Sequence, residues 1–341
     1  MDWLRLKNHL DRYLPLYVTL SMIAGFYVGV HANLKPYHET LKTLNMLVVI
    51  SMIYPMMINL RVGELKNSAK LWKQLTIALF MGLVLSPLIM YASVLLVNSF
   101  HPMNHLLVLG LLLAVVVPCS SMSIAYTGFT KGNLELATII VALSFTLAIV
   151  TVPGWLKVFA ASYHVPISAW LLVKTILIVV IVPMVLGVAT RHYLISRMGS
   201  EGFLRIRPAF PAVSLLGMYA IVFLIFMEKA RVIAGKPEIV GLALLPLVVY
   251  YTVSLTFMTL LNRALGISYR DHMAMTFTSV GKNEGTAMAI ALAAGMGMMA
   301  IPPAITPIVQ IPFLVGYVKM WRKIAGLWKC RVLEEGTPSV S

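Results

Sequence analysis

The sequence contains little charge for its length. Of its 341 residues only 11% are Asp, Glu, Lys or Arg, whereas 60% are hydrophobic, and the mean hydropathy is +0.88. Soluble domains carry roughly 25% charged residues, so this composition excludes a water-soluble globular protein. Apolar runs of about 20 residues, the length that crosses a bilayer core, instead predict an all-α polytopic membrane protein with no separate soluble domain.

Cysteine and aspartate are also scarce. The two cysteines are Cys119, within an apolar run, and Cys330, near the end of the chain. They indicate neither a disulfide framework nor a paired-thiol metal site, and we predict no metal and no cofactor. The three aspartates, Asp2, Asp11 and Asp271, fall at the terminus or in loops, so an intramembrane aspartyl pair is absent and an enzyme is not expected.

Apolar runs between clusters of charge predict ten membrane spans. The spans cover residues 14–32, 43–60, 75–98, 105–127, 134–156, 168–190, 208–228, 239–262, 272–295 and 300–318.

The distribution of basic residues predicts the orientation. Basic flanks resist translocation, and most of the 27 Lys and Arg residues fall in cytoplasmic segments if the N-terminus is cytoplasmic. We therefore predict a multi-pass protein of the cell membrane with both termini in the cytoplasm. The net charge of +15 is scattered over short loops, which favours contact with the lipid bilayer and not with nucleic acid. The sequence does not indicate whether the protein is a monomer or an oligomer.

The orientation also predicts an internal symmetry. Spans one to five begin inside and spans six to ten begin outside, so the two halves would be inverted repeats, an arrangement common in secondary transporters. The predicted boundaries are residues 1–160 for the first repeat, and residues 161–341 for the second repeat with a short cytoplasmic tail.

Span four contains proline at its centre. Pro118 removes a backbone donor and clashes with the preceding turn, in a setting where lipid cannot replace the lost hydrogen bond. Cys119 and the hydroxyls of Ser120, Ser121 and Ser123 follow directly. Such a break survives only where it faces protein or a water-filled cavity, so we predict a discontinuous helix here.

Span nine contains charge at its centre. Gly281 and Gly285 flank Lys282, Asn283 and Glu284, although one charged residue at mid-membrane costs on the order of 2.5–3.5 kcal/mol. Intramembrane ionisable residues are functional by default, and helix breaks in corresponding spans of two halves mark transporter sites. We predict that this second discontinuous helix crosses the first.

Two crossing breaks predict a polar site at the membrane midplane for a small solute. The candidate solute-binding residues are Cys119, Ser120, Ser121, Ser123, Asn283 and Glu284, and the candidate coupling residues are Lys282 and Glu284. Other interpretations stay open. The serine hydroxyls could satisfy backbone groups, Cys119 could be a packing residue, Lys282 and Glu284 could form a static ion pair, and the methionines are interpreted as packing residues.

Three sequence blocks carry a family resemblance. They are SMIYPMMINLRVGELKN (51–67), PCSSMSIAYTGFTKGN with ELATIIVALS (118–144), and TPIVQIPFLVGYV (306–318). These blocks resemble spans of arsenite-efflux permeases, in the bile acid:sodium symporter superfamily, including a cysteine that falls on Cys119. The resemblance implies ten helices in an inverted repeat, a panel domain and a core domain, and a site formed where broken helices four and nine cross.

The resemblance implies a secondary active transporter that exports arsenite, a metalloid oxyacid, in exchange for protons. Cys119 would then be the soft ligand, since sulfur suits soft centres. The alternative is a sodium- or proton-coupled carrier of a small organic anion, with Lys282 and helix N-termini receiving the carboxylate.

The chain departs from the pattern of the arsenite permeases in two places. Those permeases carry Trp-Asn-Asp after the cysteine, where this sequence has Tyr126, Thr127 and Gly128. Their glutamate of span nine would fall on Ala287, one turn from Glu284.

The chain also lacks the sodium ligands of the sodium-coupled branch. The Ser-Asn pair of that branch would fall on Ser123 and Ile124, and the hydroxyls of span five near Ala137 and Val141. A hard cation needs several oxygen ligands, and apolar replacements remove them. We hypothesise that the ammonium of Lys282 takes the electrostatic place of a sodium ion beside Glu284.

Overall fold

A computed structural model describes residues 3–59, 71–120, 122–165, 170, 174–175, 177–235 and 237–328. Ser121, Cys330, the tail beyond residue 328 and most of the start of predicted span six lie outside the described residues. The described chain is helical, and one isolated β-bridge joins two of its loops. The prediction of an all-α polytopic membrane protein is confirmed.

The helices are numbered here in chain order. They are α1 (Trp3–Arg12), α2 (Leu14–His31), α3 (His38–Ile58), α4 (Trp72–Asn98), α5 (His105–Val116), α6 (Met122–Phe129), α7 (Leu134–Ser162), α8 (Leu177–Ile206), α9 (Ala209–Gly235), α10 (Glu238–Ala264), α11 (Tyr269–Val280), α12 (Glu284–Ala293), α13 (Ile301–Lys319) and α14 (Trp321–Leu327).

Eight helices within the described ranges are long and apolar enough to cross a membrane, and they correspond to predicted spans one, two, three, five, six, seven, eight and ten. The regions of predicted spans four and nine are each divided into two short helices, α5 with α6 and α11 with α12. The two divided helices are the only predicted spans without one long helix in the described chain.

The helices pack in two groups. Helix α9 packs against α2 and α3, and α3 also packs against α8. In the second group α10 packs on α4 and α13, while α11 packs on α6 and α7. Helix α12 packs on α13 of the second group and also touches α3 of the first group, and α13 itself packs on α2, so the second divided helix lies at the boundary between the groups.

Small residues allow the close packing of the first group. Gly25 and Gly29 are one turn apart on α2, and both are buried. A Cβ atom at Gly25 would overlap the carbonyl oxygen of Phe223 on α9, and one at Gly29 would overlap that of Met227. Two glycines at this spacing let helix backbones approach closely in a membrane, where dispersion contacts drive association.

Gly29→Ala should therefore destabilise the protein, because the added methyl group forces α2 away from α9. Overpacking of this kind costs about 1–3 kcal/mol, and a lower thermal unfolding temperature in detergent measures it. Gly154→Ala in α7 is the matched control, since its Cβ would meet no atom within 4 Å. Equal unfolding temperatures for the two variants would contradict the packing of α2 on α9.

Candidate functional site

The breaks in the two divided helices meet. The amide N–H of Ser120 donates to the carbonyl oxygen of Gly281 at 2.9 Å, and that of Asn283 donates to the carbonyl oxygen of Pro118 at 3.0 Å. These two hydrogen bonds flank an antiparallel bridge between Cys119 and Lys282. Each break therefore satisfies backbone groups that the other break exposes, which hydrocarbon could not do.

The bridge geometry assigns the side chains to two faces. Cys119 and Lys282 form the non-hydrogen-bonded pair, in which facing side chains project to the same side with Cβ atoms about 4.5–5.5 Å apart. Side chains alternate along extended backbone, so Ser120 and Asn283 project to the opposite side. The predicted site residues are thus divided between a thiol–ammonium face and a hydroxyl–amide face.

The first break begins at Pro118, as the sequence predicts. Helix α5 ends with the amide of Val117 donating to Leu113, and Pro118 then has no N–H to continue the helix. Cys119 is 2% exposed, and its amide donates to the hydroxyl oxygen of Ser144 on α7 at 3.3 Å. The sulfur of Cys119 lies 3.0 Å from the same oxygen, so Ser144 fixes both the backbone and the thiol.

The second break is held by a glutamine from α13. The amide of Lys282 donates to Oε1 of Gln310 at 3.0 Å, and Nε2 of Gln310 donates to the carbonyl oxygen of Lys282 at 3.2 Å. The hydroxyl of Tyr251 on α10 also donates to Oε1 of Gln310, at 2.7 Å, and so fixes the orientation of the amide. Buried backbone groups need such partners, and Gln310 supplies both.

Caps terminate the helices on either side of the second break. The amide of Gly281 closes α11 by donating to Phe277. The side chain of Asn283 accepts a hydrogen bond from the amide of Thr286 at 3.1 Å, so Asn283 is the N-cap of α12. This cap gives Asn283 a structural role in addition to its predicted contact with solute.

The ammonium of Lys282 binds a distorted turn of α4. Residues Met81–Leu85 form a π-helical segment, and Pro87 supplies no donor to the carbonyls of Gly82 and Leu83. Nζ of Lys282 donates to the oxygen of Gly82 at 2.6 Å, and Nε1 of Trp155 donates to that of Leu83 at 2.7 Å. Two side chains thus replace missing backbone donors.

Glu284 does not form the ion pair considered from the sequence. Within the described chain no salt bridge joins Lys282 to Glu284, because the ammonium points to α4 while Glu284 is the first residue of α12. Glu284 is 7% exposed, and its Oε1 has no hydrogen-bond partner among the described residues. Oγ1 of Thr286, in the same turn, also lacks a partner there. Unsatisfied buried polar atoms are rare in native structures, so both oxygens are candidate contacts for a ligand or water.

The predicted serines have different environments. Ser120 is half-buried, and its hydroxyl oxygen accepts a hydrogen bond from the amide of Met122 at 3.3 Å. Ser123 is fully buried, and its hydroxyl donates to the carbonyl oxygen of Phe277 at 2.8 Å. Ser123 thus ties α6 to α11, which matches the structural interpretation left open for the serines. Ser121 lies outside the described residues.

Sequence reasoning missed the residues that support the crossing. Gln310 stands alone as an amide in the last apolar run, and a polar side chain at that depth was a usable signal. Ser144, Tyr251 and Gly82 gave no comparable signal, because hydroxyls and glycines are common in membrane helices.

Two interrupted helices that pair at their breaks, inside a polytopic membrane protein, are typical of secondary transporters. The chain belongs to the Sodium Bile acid symporter family, which it matches over residues 46–236. It is therefore a membrane transport protein.

Three similar proteins have been found. The arsenical-resistance protein Acr3 of Corynebacterium glutamicum is 26% identical over 335 residues, covering 92% of this chain and 90% of that protein. Acr3 of Alkaliphilus metalliredigens is 22% identical, covering 70% and 71%. An uncharacterized transporter of Synechocystis sp. is 20% identical, covering 97% and 92%. These comparisons confirm the resemblance to the arsenite-efflux branch of the superfamily.

Gln310→Leu should destabilise the protein strongly, because it leaves both backbone groups of Lys282 and the hydroxyl of Tyr251 without partners. Each buried unsatisfied group costs about 1–3 kcal/mol. Tyr251→Phe removes one of the three hydrogen bonds and should cost less. Thermal unfolding in detergent ranks the variants, and a Gln310→Leu protein as stable as Tyr251→Phe would contradict this role.

Proposed function

We propose that this protein is a secondary carrier that exports arsenite in exchange for protons. Two of the similar proteins are arsenical-resistance proteins. The observation that carries the proposal is the pairing of two helix breaks around a thiol, an amide and a buried carboxylate. This set of groups suits a small neutral hydroxide with a soft centre better than an organic anion.

Each proposed solute contact uses a group that the site holds in place. Cys119 supplies sulfur, the soft ligand class, and a single thiol favours release because it cannot form a closed cage of three thiols. Ser120 and Asn283 supply hydrogen bonds to the arsenite hydroxyls. The Oε1 atom of Glu284 accepts a further hydrogen bond, since it has no partner among the described residues. Ser123 also supports the site, because its hydroxyl donates to the carbonyl oxygen of Phe277.

An organic anion fits the second break less well. Helix N-termini favour negative charge, but Glu284 already places a carboxylate on the first residue of α12. The ammonium of Lys282 is directed to the carbonyl oxygen of Gly82 and not to the hydroxyl–amide face.

Lys282 is proposed as the fixed cation of the coupling machinery. Its ammonium donates a hydrogen bond to a backbone carbonyl oxygen in α4. Such an oxygen is also a ligand that a bound metal cation would use. A tethered cation makes a sodium ion unnecessary. Protons would then be exchanged through Glu284, with the fixed charge of Lys282 nearby, because the proton affinity of a buried ionisable group changes when its site is hydrated or closed.

The proposal extends to the number, symmetry and orientation of the membrane spans. The eight long helices with the divided helices α5–α6 and α11–α12 make ten spans, arranged as inverted repeats over residues 1–160 and 161–341. The protein would lie in the cell membrane with both termini cytoplasmic, as the basic residues predict. The first helix group would move against the second around the site during transport.

Expression in an arsenite-sensitive host should restore arsenite tolerance, and Cys119→Ser should abolish the protection because it removes the soft ligand. Growth over a range of arsenite concentrations measures the effect. The control is Cys330→Ser, which removes the other cysteine of the chain. Unchanged protection by Cys119→Ser would contradict the ligand role, and absence of protection by the wild-type protein would favour an organic-anion carrier.

Lys282→Gln should reduce arsenite transport in proteoliposomes and remove its dependence on an imposed proton gradient. The substitution retains a donor for Gly82 but removes the fixed charge. The wild-type rate should not change when sodium replaces potassium on both sides. A Lys282→Gln protein with the full rate and the full response to a proton gradient would rule out the coupling role.

A further inference from the structure

Two methionines of α3 contact Asn283 of the hydroxyl–amide face and the turn of α12 that follows it. Met52 and Met56 lie four residues apart, so they share one face of the helix. Met52 is buried and Met56 is half-buried. The sequence alone gives no reason to treat these residues as more than packing.

The thioether of Met56 touches a proposed solute-binding residue directly. Nδ2 of Asn283 donates to Sδ of Met56 at 3.1 Å. A thioether is a weak acceptor, so this hydrogen bond is easily exchanged for one to an oxygen of a solute. Met56 therefore occupies the position at which a solute would approach the Asn283 amide.

The thioether of Met52 lies against the first turn of α12. An ideal Cβ at Gly285 would be 3.0 Å from Sδ of Met52, so the absence of a side chain at Gly285 admits the sulfur. On its other side, Met52 packs against Gly217 of α9, where a Cβ would lie 2.9 Å from the Met52 Cβ. Two glycines thus fix this side chain between α9 and the second break.

The same turn of α12 contains buried polar atoms that have no partner. Oε1 of Glu284 and Oγ1 of Thr286 flank Gly285 in sequence, and both residues are more than nine-tenths buried. The first turn of α12 therefore presents oxygen atoms as well as the Gly285 contact with sulfur. A ligand with hydroxyl groups around a polarisable centre would match both kinds of group.

We propose that Met52 and Met56 are specificity-determining residues, whose thioethers select a trivalent metalloid hydroxide on the α3 side of the site. Thioethers are soft ligands, which favour a polarisable centre over a hard oxygen-coordinated one. They remain uncharged and bind weakly, so they permit release. This inference rests on the proposed function and adds the first helix group to the solute site, which then spans both groups.

The test compares arsenite transport by the double variant Met52→Leu/Met56→Leu with that of the wild-type protein in proteoliposomes. Leucine conserves volume but replaces the linear thioether with a branched alkyl group, an exchange that cores tolerate. The half-saturating arsenite concentration should rise about tenfold, the effect of losing roughly 1.4 kcal/mol of binding. The maximal rate and the thermal unfolding temperature should stay near their wild-type values.

Met57→Leu is the matched control. Met57 is fully buried on the same helix and packs against Gly187 of α8, where a Cβ would lie 2.6 Å from the Met57 Cβ. A half-saturating concentration unchanged in the double variant, or raised equally by Met57→Leu, would overturn the inference while leaving the proposed function intact. A wild-type protein that does not transport arsenite would overturn both.

Discussion

Backbone hydrogen bonding in a low-dielectric environment is the constraint on which this structure depends. A helix that breaks inside a membrane leaves N–H and C=O groups that lipid cannot satisfy. Here the two breaks satisfy part of this demand for each other, through Ser120 with Gly281 and Asn283 with Pro118. Side chains satisfy more of it, with Ser144 serving the first break and Gln310 the second. The crossing is therefore a specific pairing.

The same accounting explains why a lysine is tolerated in the centre of the protein. The π-helical segment of α4 and Pro87 leave a carbonyl at Gly82 that needs a donor, and the Lys282 ammonium supplies it. The irregular turn of α4 thus determines the position of the Lys282 ammonium. In the proposed mechanism this arrangement gives a fixed cation beside Cys119, the soft ligand on that face, while Ser120, Asn283 and the α3 methionines contact the solute from the opposite face.

The sequence predicted the breaks because their causes are local. Pro118 removes a donor wherever it occurs in a helix, and charges beside Gly281 have no place in an uninterrupted apolar span. The sequence did not predict the partners, because Gln310 and Gly82 lie 28 and 200 residues from Lys282 and are brought to it by helix packing. The ion pair between Lys282 and Glu284 that the sequence allowed does not form, for a related reason. Helix α12 begins at Glu284, whereas Lys282, two residues earlier, directs its side chain to Gly82 of α4.

The central claim is that the two breaks cross at Cys119 and Lys282 and that solute binds at this crossing. Disulfide formation between Cys119 and the substitution Lys282→Cys, in a Cys330→Ser background, tests it most directly. The non-hydrogen-bonded pair has the Cα spacing that a disulfide requires. Mild oxidation should give the cross-link, detected by mass spectrometry of the unreduced protein, and arsenite should slow its formation. No cross-link, or a rate that arsenite leaves unchanged, would contradict the account.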